Sequence, residues 1–317
     1  MNTSDILVRL KNKKIGVLYG GLSSEREISI KSGKAVLSAL KRLKLKAVGI
    51  DATRDVAEKI KKANIDIAYV ILHGPMGEDG TIQGMLEIMG IPYTCSGVFA
   101  SALSMDKDIS KKLFRCNGIP TPDWTVIKQF EPFTEIKKYP VVVKPVSQGS
   151  ALGLTIVKKA SQFVVAAKEA FKYDNEIMVE NFVSGKEITV AVLNGKALPV
   201  IEIVPKGEFY DFKSKYQKGG SRHIIPARIS SRAYSNAQSY AEEIFKIFKC
   251  KTLCRVDMMI DKSNKIWVLE NNTIPGMTAT SLVPDASKAV GYDFNNLVLK
   301  IVESALYDSK KKEPLRL

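Results

Sequence analysis

Asp257, Glu270 and Asn272 are the residues whose types and spacing point most directly to chemistry. They lie in two apolar or β-branched runs, 254–260 and 266–272, joined by the polar turn Asp261-Lys262-Ser263-Asn264-Lys265. Such runs about a polar turn predict a β-hairpin. Side chains alternate faces along a strand, so Arg255, Asp257 and Met259 share one face, and Glu270 and Asn272 share another. Folding about the turn sets Asp257 roughly opposite Glu270. Like charges directly across an antiparallel pair repel, and a bound cation relieves that repulsion. The three oxygen-bearing side chains suit a hard ion such as magnesium, which combines carboxylate with phosphate oxygens. A solvated surface hairpin with acidic ends is the competing reading.

Lys144 ends the β-branched run Val141-Val142-Val143 and precedes the loop Pro145-Val146-Ser147-Gln148-Gly149-Ser150-Ala151-Leu152-Gly153. A loop of small residues can turn several backbone N–H groups toward phosphate, and a strand-end lysine adds fixed positive charge. The Gly-Lys-Ser/Thr of a Walker A loop is missing. Alone, this loop reads as a structural turn. Together with the acidic hairpin it points to a phosphate and metal site.

The elements that must carry these groups follow from periodicity. Residues 14–21 read as a buried strand entering a glycine turn, followed by the polar loop Leu22-Ser23-Ser24-Glu25-Arg26-Glu27 and a helix through Ala35, Val36 and Leu40. Short strands at 47–50 and 67–72 flank a Lys-rich helix. That β-α-β-α-β rhythm predicts an α/β unit with a Rossmann-like parallel sheet over residues 1–100. A second unit, 101–185, opens with a helix over 107–116, stopped by Asn117-Gly118-Ile119-Pro120. It continues with strands at 141–144, 154–157 and 177–180 and a helix over 161–171. A third, 186–317, of α+β character, begins with a hairpin about Asn194-Gly195. It passes through a long Lys-, Gly- and Ser-rich loop, 205–228, which reads as a lid. An amphipathic helix marked by Ala237, Tyr240, Ala241, Ile244, Phe245 and Phe248 then leads into the acidic hairpin.

Composition bounds the function. The 317 residues are 45% hydrophobic and 26% charged, ordinary for a soluble globular protein with a large core. The N-terminus predicts no secretory signal and no apolar run is long enough to span a bilayer. Four scattered cysteines predict buried reduced thiols rather than a disulfide framework. Cys250 and Cys254 have no second Cys or His pair nearby to complete a zinc site. The net charge of +15 permits nucleic-acid binding or attraction of a polyanion such as ATP. The lysines are dispersed, in runs at 11–14, 41–46 and 310–312 that read as solvated faces and a frayed terminus. That argues against nucleic acid.

Lys144 with Gly149-Ser150, Glu180, Glu187, Arg255-Val256-Asp257 and Glu270-Asn271-Asn272 together resemble the nucleotide and metal framework of the ATP-grasp ligases. The segment His73-Gly74-Pro75-Met76-Gly77-Glu78-Asp79-Gly80-Thr81-Ile82-Gln83-Gly84 resembles the signature of the D-alanine–D-alanine ligases. So do Gly20-Gly21-Leu22-Ser23-Ser24-Glu25-Arg26-Glu27, Ser104-Met105-Asp106-Lys107 and Pro275-Gly276-Met277-Thr278. The matches run in order from about Ile15 to Leu282, nearly the whole chain.

The resemblance implies an ATP-grasp fold and a cytoplasmic enzyme that phosphorylates one D-alanine carboxylate and couples it to a second D-alanine for peptidoglycan synthesis. It implies that Lys107 and Lys144 hold the α- and β-phosphates and Lys215 the γ-phosphate. Glu180, Asn181, Phe182 and Val183 would meet adenine, Glu187 the ribose, and Met259 the base. Asp257, Glu270 and Asn272 would hold two magnesium ions, with manganese as a substitute. Arg255 and the Gly276 N–H would stabilise the tetrahedral oxyanion. Glu25 would pair with the first substrate's ammonium, linked to Ser150 and Tyr216, with His73 nearby. Ser281 and the Leu282 N–H would receive the second carboxylate. A homodimer is also implied.

Two positions depart from the family pattern. Ala151 replaces a second serine, and Pro75-Met76 replace small or charged residues. The nearest rival is a D-alanine–D-lactate or other D-amino-acid ligase, against which Tyr216 argues, since ester-forming relatives often carry Phe or His there. A rival from another class is a basic nucleic-acid-binding protein on an inactive ligase scaffold.

Overall fold

The computed structural model describes residues 3–132, 136–205 and 220–311, with side chains as far as residue 306. The chain opens with α1 (Thr3–Leu10), β1 (Lys14–Tyr19), α2 (Arg26–Arg42), β2 (Lys46–Asp51), α3 (Val56–Ala63) and β3 (Ile67–Val70). β1 pairs in parallel with β2 on one side and β3 on the other. A parallel bridge from Ala68 to Tyr93 extends the edge. The four central residues of β1 are buried, as a parallel strand covered on both faces requires. Helices α4 (Thr81–Ile88) and α5 (Val98–Met105) follow. Both have only eight residues, so two turns of Gly-, Ser- and Thr-containing sequence carried too little period to be foreseen.

Helix α6 (Lys107–Cys116) has the bounds expected from sequence. The Asp106 carboxylate accepts the Ile109 N–H at 2.9 Å and caps it. Strands β4 (Trp124–Lys128), β5 (Val141–Pro145) and β6 (Thr155–Val157), helix α7 (Phe163–Ala170) and β7 (Glu176–Asn181) complete a second unit. Its antiparallel sheet has the order β4-β7-β5-β6.

The third sheet draws on β8 (Gly185–Leu193), β9 (Lys196–Ala197), β10 (Ile201–Pro205), β11 (Ser221–Ile224), β12 (Leu253–Asp261) and β13 (Ile266–Asn272). Its order is β11-β10-β8-β12-β13, with β9 beside β8. Helix α8 (Ser231–Ile247) precedes β12; α9 (Leu282–Ala289) and α10 (Phe294–Lys311) follow β13. The expected loop 205–228 is therefore shorter at its far end, because residues 221–224 pair with β10. Ser-Arg-His-Ile lacks a strand signature, and only the β10 edge makes it one. Lys215 and Tyr216 lie outside the described residues.

Three cores hold these layers. The first is shared, since Leu297, Val298, Ile301 and Val302 of α10 are buried with the β1–β3 residues. Phe114 of α6 meets Phe248 at 5.5 Å between ring centroids, joining α6 to the C-terminal end of α8. Cys95, Cys250 and Cys254 are buried thiols as expected, but Cys116 at the end of α6 is exposed. Helix α10 continues to Lys311, and the last lysine of the basic run 310–312 lies outside the described residues. No helix among the described residues is long and apolar enough to cross a membrane.

Candidate active site

The hairpin folds in the register its alternation predicts: Asp257 on β12 lies opposite Glu270 on β13. Beyond Asp257 the pairing slips, so that Met258 faces Val268 and Leu269 is extra. This is a β-bulge. Leu269 and Glu270, consecutive on the strand, both line the cleft beside Met259.

Each acid carries its own cation. Arg255 grips Asp257 with two hydrogen bonds, Nε to Oδ1 at 2.8 Å and Nη2 to Oδ2 at 2.6 Å. Thr189 on β8 donates to the same Oδ1 at 2.6 Å. Glu270 lies 3.5 Å from Lys107 Nζ. The competing picture of a solvated surface hairpin is excluded, because Asp257 is 4% exposed.

Two cavities meet at Lys107 and Glu270, which line both. The larger, about 1800 Å³ including its open mouth, runs between the second and third sheets. With Lys107 it is lined by Lys144, Glu180, Asn181, Phe182, Val183, Glu187 and Met259, all the described residues expected around a nucleotide, and by Asp257, expected on the metal. The smaller, about 900 Å³, is lined by Glu25, His73, Ser150, Arg255, Gly276, Ser281 and Leu282, the described residues expected around the amino-acid substrates, and by Asn272, expected on the metal.

Glu25 shows how the smaller cavity is built. It ends the loop before α2 and is 3% exposed. A Cβ on Gly74 would stand 3.0 Å from Glu25 Oε2, and one on Gly149 would stand 3.3 Å away. The two glycines therefore admit the carboxylate between the His73 turn and the phosphate loop. Ser150 and Ala151 both take positive φ, 53° and 58°, conformations that turn successive N–H groups toward one concavity. Ala151 thus keeps the backbone geometry although the serine hydroxyl is gone.

His73 is 6% exposed and its Nε2 has no hydrogen-bond partner. Burial lowers its pKa to about 4; a hydrogen bond to the Ile274 backbone opposes the shift and the Arg255 charge adds to it. It is therefore a neutral imidazole at neutral pH. On the far wall, the Met277 N–H next to Gly276 donates to Ser32 Oγ at 3.3 Å, tying this segment to α2. Ser281 Oγ accepts the Thr278 N–H at 3.0 Å. Leu282 begins α9, so the positive end of a helix faces the cavity.

Two groups escaped the sequence reading. Glu78 is buried and accepts the Gly74 N–H at 2.7 Å. Burial, then the Glu25 charge, push its carboxyl well above the usual range. It lies in the motif of residues 73–84, where no spacing shows that it faces Glu25. The other is Lys111, fully buried on α6. Its ammonium bonds one oxygen of Glu180, and Lys144 bonds the other at 2.7 Å. The carboxylate of Glu180, at the edge of the cleft, is thus engaged by two lysines. Lys107, Ser110, Lys111 and Phe114 form the buried face of α6, a helical periodicity that could have revealed Lys111.

Among the described residues no three His, Cys, Asp or Glu side chains cluster to hold a metal. Two acids and the Asn272 amide still fit a magnesium or manganese ion, which takes few protein oxygens and completes its shell with phosphate and water.

Comparison with known proteins agrees with this geometry. Residues 51–96 match the family model of the D-ala D-ala ligase N-terminus, and residues 113–303 that of the D-ala D-ala ligase C-terminus. The chain is 46% identical over 296 residues to a D-alanine–D-alanine ligase of Citrifermentans bemidjiense, covering 93% of this chain and 97% of that protein. It is also 46% identical over 311 residues to the one from Carboxydothermus hydrogenoformans, covering 94% and 100%. The crystal structure of D-alanine–D-alanine ligase from Bacillus anthracis complexed with ATP superposes with a TM-score of 0.83 at 34% identity, covering 95% of this chain and 99% of that one. The fold is the ATP-grasp architecture behind an N-terminal parallel-sheet unit. The chain belongs to the D-alanine–D-alanine ligase family.

Proposed function

We propose that this protein joins two D-alanine molecules in an ATP-dependent reaction, giving D-alanyl-D-alanine, ADP and phosphate for peptidoglycan synthesis. The meeting of two cavities at Lys107 and Glu270 carries the reading. It lets the phosphate end of a nucleotide in one cavity reach a carboxylate in the other.

A free carboxylate is a poor acyl donor. Its oxygen attacks the γ-phosphorus, ADP leaves, and the acyl phosphate supplies a leaving group. The amine of the second D-alanine then attacks the carbonyl carbon, loses a proton, and expels phosphate. Glu25 pairs with the first ammonium, in a network with Ser150 and Tyr216. Lys107, Lys144 and Lys215 neutralise the phosphates. Asn181, Phe182, Val183 and Met259 bound the adenine, and Glu187 meets the ribose. Glu180 borders the adenine with them and also holds Lys144. Arg255 and the Gly276 N–H stabilise the oxyanion. Neutral His73 lines the first-substrate wall. Ser281 and the Leu282 N–H receive the second carboxylate. Asp257, Glu270 and Asn272 would hold two magnesium ions, or manganese; when bound, these supply positive charge to the phosphate oxygens. The segment between β10 and β11, which carries Lys215 and Tyr216, acts as the lid that excludes water. Units at 1–100, 101–185 and 186–317, a homodimer and a cytoplasmic site complete the proposal.

The test is ADP release by the purified chain. It should require both D-alanine and magnesium, and Asp257→Asn should lower it by at least about a hundredfold while leaving the fold intact. ADP release that ignores D-alanine, or duplex DNA binding with a steep salt slope, would overturn the reading.

A further inference from the structure

Between the nucleotide cleft and the interior of the second unit lies an ion triad of two cations and one carboxylate. Glu180 on β7 is 3% exposed, Lys144 on β5 is 7% exposed, and Lys111 on α6 is fully buried. Lys111 Nζ also lies 2.5 Å from Thr121 Oγ1, and Thr121 in turn donates to the Val268 carbonyl at 2.8 Å. The Trp124 ring stands 5.1 Å from the same ammonium. Of the three, Lys144 and Glu180 line the cleft, whereas Lys111 does not.

A buried lysine is costly unless something uses its charge. With Lys111 absent, Glu180 would face Lys144 alone, and the two charges would cancel. With Lys111 present, the group carries a net positive charge, and of its two cations it is Lys144 that borders the cleft. Glu180 also fixes where that ammonium sits.

Building on the proposed nucleotide site, we propose that Lys111 is a positioning residue for ATP. By neutralising Glu180 from behind, it leaves the charge of Lys144 available to the phosphates and holds its ammonium in place. Lys111 lines neither cavity.

Burial brings the pKa of Lys111 down to about 8; the Glu180 charge opposes that shift, and Lys144 and Arg115 add to it. These are the charged groups facing it: Glu180 from β7, Lys144 from β5 and Arg115 from its own helix. Burial raises Glu180, but Lys144 and Lys111 outweigh it and hold its carboxyl below the usual range. The positive charge of the triad is thus present below about pH 8 and fades above it.

Calorimetric titration of the full chain with magnesium-ATP, without D-alanine, tests the assignment. Lys111→Met should weaken ATP binding about ten- to a hundredfold, the worth of a charge-assisted contact. The KM for ATP should rise with it, while kcat at saturating ATP and the KM for D-alanine stay near wild type. Adding Glu180→Gln to Lys111→Met removes the carboxylate that cancels Lys144, and should recover most of the lost affinity. A purely structural lysine would show no such recovery. Wild-type affinity in Lys111→Met, or a double variant no tighter than the single one, would overturn the proposal. Should Lys111→Met not fold, the wild-type pH profile decides. ATP affinity should fall between pH 7 and 9.5 with a midpoint near 8, and Lys111→Arg should remove that fall. A fall that Lys111→Arg leaves unchanged overturns the assignment. A wild-type chain that binds no ATP sinks the nucleotide site itself, and Lys111 with it; ATP-binding wild type with unaltered variants sinks Lys111 alone.

Discussion

Glu25→Gln should weaken the first amino-acid site and at the same time relieve strain in the folded protein. Glu25 and Glu78 line the same cavity, and both are nearly inaccessible to water. A charge-assisted contact in such a site is worth about 1.5–3 kcal/mol. Losing it predicts a rise of about ten- to a hundredfold in the KM of the first D-alanine, with the KM for ATP unchanged. The second effect runs through Glu78, whose carboxyl is raised by burial and then by the Glu25 charge. A carboxyl with a raised folded pKa binds more protons folded than unfolded above its ordinary pKa. Stability therefore falls as pH rises through that interval. Removing the Glu25 charge should flatten the fall, stabilising the variant at pH 7.5 relative to pH 5 by on the order of 1 kcal/mol. That corresponds to about 2 °C in a chain of this size. Initial rates against D-alanine, with thermal melts at both pH values, measure the two effects. An unchanged first-site KM would refute the ammonium assignment. A melting difference between variant and wild type that is equal at both pH values would refute the coupling of the two acids.

His73 should titrate near pH 4, far below an ordinary imidazole, because its cationic form is excluded by burial. Its ring protons, assigned against His223→Gln in an NMR titration, check this, and a midpoint near 6.5 would contradict it. Gly185→Ala should be disruptive, since a Cβ at this β8 position falls on the Ile260 carbonyl, forcing β8 and β12 apart beside the cleft. Urea denaturation should show a loss of about 1–3 kcal/mol or more, together with weaker ATP binding; a neutral substitution would mean that the strands yield freely.

The acidic hairpin was legible because its information is local. A period of two and a polar turn are enough to set Asp257 against Glu270. The lysine-ended strand and the bounds of α6 were legible for the same reason. Strand β11 was not, since Ser221–Ile224 has no intrinsic preference strong enough to announce itself and takes its conformation from β10. Lys111 gave only the helical period that puts it on the face of Lys107 and Phe114. Four residues beyond Lys107 it looks like any helix-surface cation, and only the approach of β7 and β5 turns it into a buried counter-ion.

The local pattern by itself determined the alternating units, the hairpin register and, through the quoted motifs, the family. These rest on residue type and spacing, which neighbours along the chain can specify. Tertiary structure decided which charges meet. It brought Glu25 between Gly74 and Gly149, closed Arg255 on Asp257, and joined the two cavities at Lys107 and Glu270. Electrostatic energy depends on distance and burial, and both are set by elements far apart in the chain, whose packing no local spacing encodes.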